Sequence, residues 1–280
     1  MALVHMTELL RRAEEKGIGV GAFNCGNMEM IMGIIRAAED KDTPIILQIA
    51  EGRLGHSPID LIGPMMVSAA KNAKVDVAVH LDHGKSDEVF RKALDFGFTS
   101  VMIDGSSLPL EENIARTKDV IALAGEYGAD VEAEIGVVGG NEGDGEHKVR
   151  YTDPSEAERF AEETKVDALA VAIGNAHGFY KGVPVLSHET LCEISERVKV
   201  PLVLHGGTGI SWEDFRNVIR EGIRKVNIAT ANLNACTMGA RDYLIAAEHP
   251  DYFGMNEAMV SATYDNVARH IDVFNMTHRL

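Results

Sequence analysis

A (β/α)8 barrel is the fold this sequence predicts, and three observations predict it. Eight short apolar, β-branched runs alternate with amphipathic helical stretches along the 280 residues. The runs are apolar throughout rather than alternating with polar residues, which marks strands buried on both faces of a parallel sheet. No Gly-rich dinucleotide fingerprint follows the first run, and eight units are many for the competing doubly wound open sheet. The expectation is an α/β TIM barrel in one domain, 1–280, with an additional C-terminal helical segment.

The elements follow in order. Leu9, Leu10 and Ala13 give a short amphipathic opening helix, and 18–24 reads as the first strand. Asn27 caps a helix whose inner face is Met30, Ile31, Ile34, Ile35 and Ala38. Pro44 opens the second strand, 45–50, and a helix over 61–74 leads to the third, 75–83. The helix at 87–96 ends at Gly97. The fourth strand, 100–104, precedes a long helix, 110–127, stopped by Gly128, and 130–135 is the fifth strand. Asp153 caps a helix over 154–164 with Pro154 in its first turn. Strands six to eight are 167–173, 201–205 and 225–229, separated by helices at 187–198 and 212–221, and 231–280 is mostly helical. The loop 136–147 is long for a barrel and holds five glycines in its first ten residues, which suits a lid.

Charge and cysteine usage narrow the function. A formal net charge of −16 and a pI of about 5.1 exclude a phosphate-tracking nucleic-acid binder. An anionic small molecule would need local attraction. Cys25, Cys192 and Cys236 are too scattered for a disulfide framework or a thiolate zinc site, which points to a reducing, cytoplasmic setting. The N-terminus lacks a signal peptide's apolar core, and no segment is apolar for long enough to span a membrane.

In a barrel the chemistry collects at the C-terminal strand ends. The third strand ends in Val79-His80-Leu81-Asp82-His83-Gly84, where alternation offers polar groups in two directions. Asn24 ends the first strand, Asp104 the fourth, and Glu132 and Glu134 the fifth. His83, His177 and His205 follow strands three, six and seven, each beside a glycine. Three protein ligands with one open position is the pattern of catalytic zinc. The other histidines, His270 among them, fall in loops or helices and are assigned to the surface. Gly206-Gly207-Thr208-Gly209 reads as an anion cradle opening the helix near Trp212, with Lys181, Thr208 and Thr230 beside it. Asn227 is placed to donate a hydrogen bond to developing negative charge. Arg224 and Lys225 belong to the start of the eighth strand, the far end of the barrel.

With these motifs the chain resembles the class II, zinc-dependent ketose-bisphosphate aldolases from about Gly21 to Thr230. Matching stretches include Ala22-Phe23-Asn24, His80 to Gly84, Val131-Glu132-Ala133-Glu134-Ile135-Gly136, His177-Gly178-Phe179-Tyr180-Lys181, His205 to Gly209 and Asn227-Ile228-Ala229-Thr230. The resemblance implies zinc on His83, His177 and His205, with Asp104 and Glu134 matching acids associated with a further metal position. It implies proton exchange with the C4 oxygen at Asp82 and with C3 of dihydroxyacetone phosphate at Glu142. The triose phosphate contacts would be Gly178, Lys181, Gly206, Gly207, Thr208, Asn227 and Thr230, with Asn24, Ile228 and Ala229 completing the matched strand ends. The partners implied are a sugar phosphate, dihydroxyacetone phosphate and an aldehyde. A monovalent cation (Na+ or K+) and a homodimeric or homotetrameric state are also family expectations.

Two departures concern the phosphate at the far end of the sugar. Ala50 replaces the family's serine after the second strand, and an ungapped alignment through Val273-Phe274 puts Phe253 where relatives carry an arginine that reaches a neighbouring subunit. Two other readings fare worse. A zinc hydrolase on this barrel usually wants His-x-His at the first strand end, which here is Asn24-Cys25-Gly26. A non-catalytic aldolase-like subunit predicts lost ligands, yet Asp82, Glu142 and all three histidines are present.

Overall fold

The computed structural model describes residues 2–141, 146–147, 150–180 and 182–277. In chain order the elements are α1 (Met6–Lys16), β1 (Val20–Asn24), α2 (Met28–Asp40), β2 (Ile45–Ala50), α3 (Ile59–Asn72), β3 (Val77–Gly84), α4 (Asp87–Asp95), β4 (Ser100–Ile103), α5 (Leu110–Gly125) and β5 (Asp130–Ile135). Then come β6 (Gly140–Asn141), β7 (Glu146–His147), α6 (Pro154–Thr164), β8 (Ala168–Val171), α7 (His188–Arg197), β9 (Leu202–Leu204), α8 (Trp212–Arg220), β10 (Ile223–Ile228), α9 (Thr230–Ala246) and α10 (Tyr252–Phe274). Eight strands close a barrel in the order β1-β10-β9-β8-β5-β4-β3-β2, all paired in parallel. The predicted (β/α)8 barrel is therefore the fold. The two-residue strands β6 and β7 form a separate antiparallel pair in the predicted lid loop.

The caps read from the sequence hold. Asn27 accepts from Met30 N–H at 2.9 Å, and Asp153 accepts from Ser155 and Glu156. The C-terminal region divides into α9 and α10, with α10 restarting behind Asp251 as its cap.

Strand alternation divides the interior of the barrel into two zones. Val20, Ala22, Ile46, Ala78, Ala168, Ala170 and Val203 form an apolar plug, closed from below by Met6, Leu9, Leu10 and Ala13 of α1. Above it the inward positions become polar: Gln48 on β2, His80 and Asp82 on β3, Glu132 and Glu134 on β5, Lys225 and Asn227 on β10. The outward residues of the same strands join the larger core beneath the helices, Phe23, Leu47, Leu81, Val101, Val226 and Ile228 among them. No helix among the described residues is long and apolar enough to cross a membrane.

Candidate active site

A backbone irregularity builds the first half of the site. Plain alternation would turn Asp82 inward and His83 outward. Instead the β3–β4 register shifts between Leu81 and Gly84, and His83 takes a φ of 47°. Such a left-handed non-glycine residue re-aims its side chain at a local energetic cost. Asp82 and His83 therefore line the same cavity, which corrects the expectation of two directions. Gly84 follows because a Cβ there would sit 2.3 Å from Phe90 and 2.7 Å from the Met102 carbonyl.

The three predicted histidines converge. One ring nitrogen from each of His83, His177 and His205 lies within 4.8 Å of the others. His83 Nδ1 is 2.9 Å from Asp104 Oδ2, and His205 Nε2 is 2.9 Å from Glu132 Oε1. A carboxylate only accepts, so each of these nitrogens carries the proton. The opposite nitrogens, His83 Nε2 and His205 Nδ1, then face each other at 2.9 Å as lone pairs. Burial pushes the His177 and His205 imidazoles well below their usual range, as it does His80. Converging imidazoles, two of them oriented by carboxylates, fit a divalent cation of the zinc type.

The acidic groups differ in setting. Burial alone would raise Asp82, but His83, His205, Lys225 and the Asn24 hydrogen bond outweigh it and hold the carboxyl below its ordinary value. Asp104 is likewise lowered, with its His83 hydrogen bond overcoming burial. Glu134 is pushed up to about 8 by burial and by the nearby Asp104 charge. His83, Asp104 and Glu134 form a second cluster within 4.8 Å, as the family pattern implied.

The remaining wall is built from glycine-rich turns. Gly178, Gly206, Gly207, Thr208, Ala229 and Thr230 line the same cavity as Asn24, Asp82, His83, His177 and Asn227. Tyr180 clamps its two sides, accepting from Ala176 N–H at 2.9 Å and donating to the Gly206 carbonyl at 3.0 Å. Gly206, at φ 64°, could not be replaced, because a Cβ would lie 2.3 Å from the Ala176 carbonyl oxygen. The sequence pointed to the helix near Trp212 as the source of the dipole. That helix, α8, is capped by Ser211 and contributes nothing to the cavity wall. It is α9 that starts here, at Thr230, without a side-chain cap and with Ala231 N–H taken by Thr208 Oγ1.

Three further expectations need correction. Ile228 is wholly buried in the outer core, so its side chain does not line the cavity. His270 is buried, not on the surface. Lys225 starts low on β10, but its side chain runs up inside the barrel to Asn227 Oδ1 at 2.7 Å and Glu132 Oε2 at 2.9 Å. Glu132 and Lys225 are the residues sequence reading left without a role. The signal was parity: Lys225 shares the inward face with Asn227, and Glu132 shares it with Glu134. Glu142 and Lys181 lie outside the described residues. The loop carrying Glu142 is nevertheless tied to the site at its root, where His177 N–H donates to the Gly139 carbonyl at 2.6 Å.

The comparisons agree with this geometry. The family described as fructose-bisphosphate aldolase class-II matches residues 4–279. The Bacillus subtilis protein named "Probable fructose-bisphosphate aldolase" is 44% identical over 250 residues, 88% of each chain. A Staphylococcus aureus fructose-bisphosphate aldolase is 42% identical over 250 residues, 87% of each. The crystal structure of the YdjI aldolase from Escherichia coli superposes with a TM-score of 0.88 at 35% identity, covering 97% of both chains. The chain is thus an aldolase, a lyase built on a TIM barrel. It belongs to the class II fructose-bisphosphate aldolase family, whose substrates are sugar phosphates.

Proposed function

We propose that the protein cleaves a ketose phosphate reversibly into dihydroxyacetone phosphate and an aldehyde. The observation that carries this reading is the convergence of three imidazoles, His83, His177 and His205, beside a cavity that Asp82 and Asn227 line. His83, His177 and His205 would hold zinc, with Asp104 and Glu132 fixing the two tautomers that face it. When bound, the metal supplies Lewis-acid stabilisation of the enediolate left as C3 and C4 separate.

The chain's own groups supply the proton chemistry. Asp82, held ionised, takes the proton of the C4 hydroxyl. The C3–C4 bond then breaks, the C4 carbonyl leaves as the aldehyde, and the electron pair stays on the triose phosphate fragment. Glu142 returns a proton to C3. Asn227 offers its amide N–H to the developing negative charge, since its Nδ2 already points at Asp82 Oδ1 at 3.1 Å. The triose phosphate group would sit against Gly206, Gly207 and Thr208 at the start of α9, with Lys181 as the local cation. No Schiff-base lysine is required.

The test is metal dependence. Treatment with a chelator should abolish cleavage, and about one zinc per subunit should restore it. Full activity in metal-free protein would overturn the ligand assignment. Any requirement for Na+ or K+ follows from the same assay run in each salt.

A further inference from the structure

Lys225 is wholly buried inside the barrel, and so is its partner Glu132. Its ammonium lies 2.9 Å from Glu132 Oε2 and 2.7 Å from Asn227 Oδ1. We propose that Lys225 is a positioning residue that holds the Asn227 amide in the one orientation that turns its NH2 group toward Asp82 and the reacting atoms. The inference rests on the aldolase reading above.

The argument starts from donor and acceptor counts. An ammonium has three donors and no acceptor, so the Asn227 atom that faces it must be the carbonyl oxygen. The other end of the amide meets Asp82 Oδ1 at 3.1 Å, and a carboxylate accepts only from the NH2 group. Rotated by half a turn, the amide would set its oxygen against Asp82 and its NH2 against the ammonium, and both contacts would be repulsive. The one contact it would gain is with the neutral His205 Nε2–H, 3.1 Å from Asn227 Nδ2, which is weaker than the two charged contacts it would lose. Asp82 is itself fixed from the far side by Asn24 Nδ2 at 2.9 Å, whose Oδ1 accepts from Gln48 Nε2 at 2.7 Å. Lys225 thus decides the orientation at one end of a hydrogen-bonded chain that runs across the mouth.

A purely structural ion pair predicts something different. Replacing both members of a buried pair together often leaves stability unchanged, because the cost of desolvation disappears with the attraction. If Lys225 served only to neutralise Glu132, the double replacement would be harmless to turnover as well.

The experiment compares Lys225→Met/Glu132→Gln with Lys225→Gln/Glu132→Gln. Glutamine at 132 keeps an acceptor for His205, and glutamine at 225 keeps a donor for Asn227. Thermal unfolding, zinc affinity by chelator competition, and kcat and KM for a ketose 1-phosphate are measured on each. Both pairs should fold and bind zinc within about threefold of the unsubstituted protein, since the oriented acceptor for His205 is kept. The Met pair should lose about 10- to 100-fold in kcat, less than the loss of an oxyanion donor outright, with KM changed by less than about threefold. The Gln pair should recover at least about fivefold of that loss, because its amide can still donate to Asn227.

Undiminished kcat in the Met pair, or equal losses in the two pairs, would overturn the proposal. If only the Gln pair folds, its kcat must stay within about tenfold of the unsubstituted protein, and a lower value overturns the proposal too. Failure of both to fold also overturns it, since the lysine would then be a requirement of the fold. An unsubstituted protein that cleaves no ketose phosphate defeats the aldolase reading itself, a result distinct from any of these.

Discussion

Asp82 is 2% exposed at the top of β3, and its neighbours decide what it can do. Asn24 and Asn227 donate to its two oxygens, while His83, His205 and Lys225 hold its carboxyl below the ordinary range. A buried carboxylate kept ionised this way suits proton exchange with an alcohol and is poorly suited to a carbon acid, which must approach from the open side. Glu142, in the sequence just after Gly139, is the second carboxylate of the proposed reading. Asp82→Ala and Glu142→Ala should therefore fail at different steps. Without Glu142, solvent exchange of the C3 proton of dihydroxyacetone phosphate should slow by roughly 10²–10⁴. Without Asp82 that exchange should survive while carbon–carbon cleavage falls by a similar factor. Proton exchange followed by NMR, beside a cleavage assay, separates the two, and equal loss of exchange in both variants would refute the division of roles. That His83, His177 and His205 belong together was legible in the sequence, but the geometry around Asp82 and His83 was not. Alternation put His83 on the wrong face because a register shift and one positive φ are tertiary outcomes that a single strand's pattern cannot carry.

At the scale of elements, strand existence and order were readable from apolar runs, and the helix caps from Asn27 and Asp153. What α10 buries was less readable, because a polar residue on a helix was taken to face solvent. His270 instead sits among Phe23, Trp212, Phe215 and Phe274, ring centroids 5.1–6.4 Å away, with Nδ1–H donating to the Asn266 carbonyl at 2.7 Å. Burial lowers its imidazole to about 4, with the nearby Arg269 charge acting in the same direction. The unfolded chain takes up this proton near the ordinary value of 6.5, while the folded chain resists it to about 4. Within that window the unfolded state binds more protons, so stability falls as pH falls. The contribution is complete above the ordinary value and amounts to about 3 kcal/mol. His270→Phe should remove this component. The difference in unfolding free energy between the two proteins, measured by urea titration from pH 7 to pH 4, should shrink or reverse on acidification in favour of phenylalanine. A difference that stays flat across the window would mean that His270 is protonated in place.

For the whole molecule, a net charge of −16 opposes any phosphorylated substrate, so each phosphate must be met by its own donors. In the proposed reading the near phosphate would have them in Gly206, Gly207, Thr208 and the start of α9. A second phosphate dianion would need equivalent partners to offset its desolvation, and bidentate arginine is the strongest common one. The positions the family resemblance assigns to that end offer none. Ala50 is buried and paired with Asp82 in the β2–β3 ladder, and its methyl group donates nothing. Phe253 is 77% exposed at the start of α10, packed only edge-on against Tyr252 among aromatic rings. Arg224, the cation nearest in sequence to Lys225, is spent on Glu14 and on the Ile219 and Ile223 carbonyls at the other end of β10. Lys225 is committed inside the barrel. The aldehyde product is therefore expected to be unphosphorylated, and kcat/KM for a ketose 1-phosphate should equal or exceed that for fructose 1,6-bisphosphate. Because one missing charged partner is worth about 1.5–3 kcal/mol, restoring an arginine by Phe253→Arg should raise the bisphosphate's relative kcat/KM by roughly tenfold or more if that position reaches the substrate. A strong preference of the unsubstituted enzyme for the bisphosphate would refute this reading and require a different cation at the mouth.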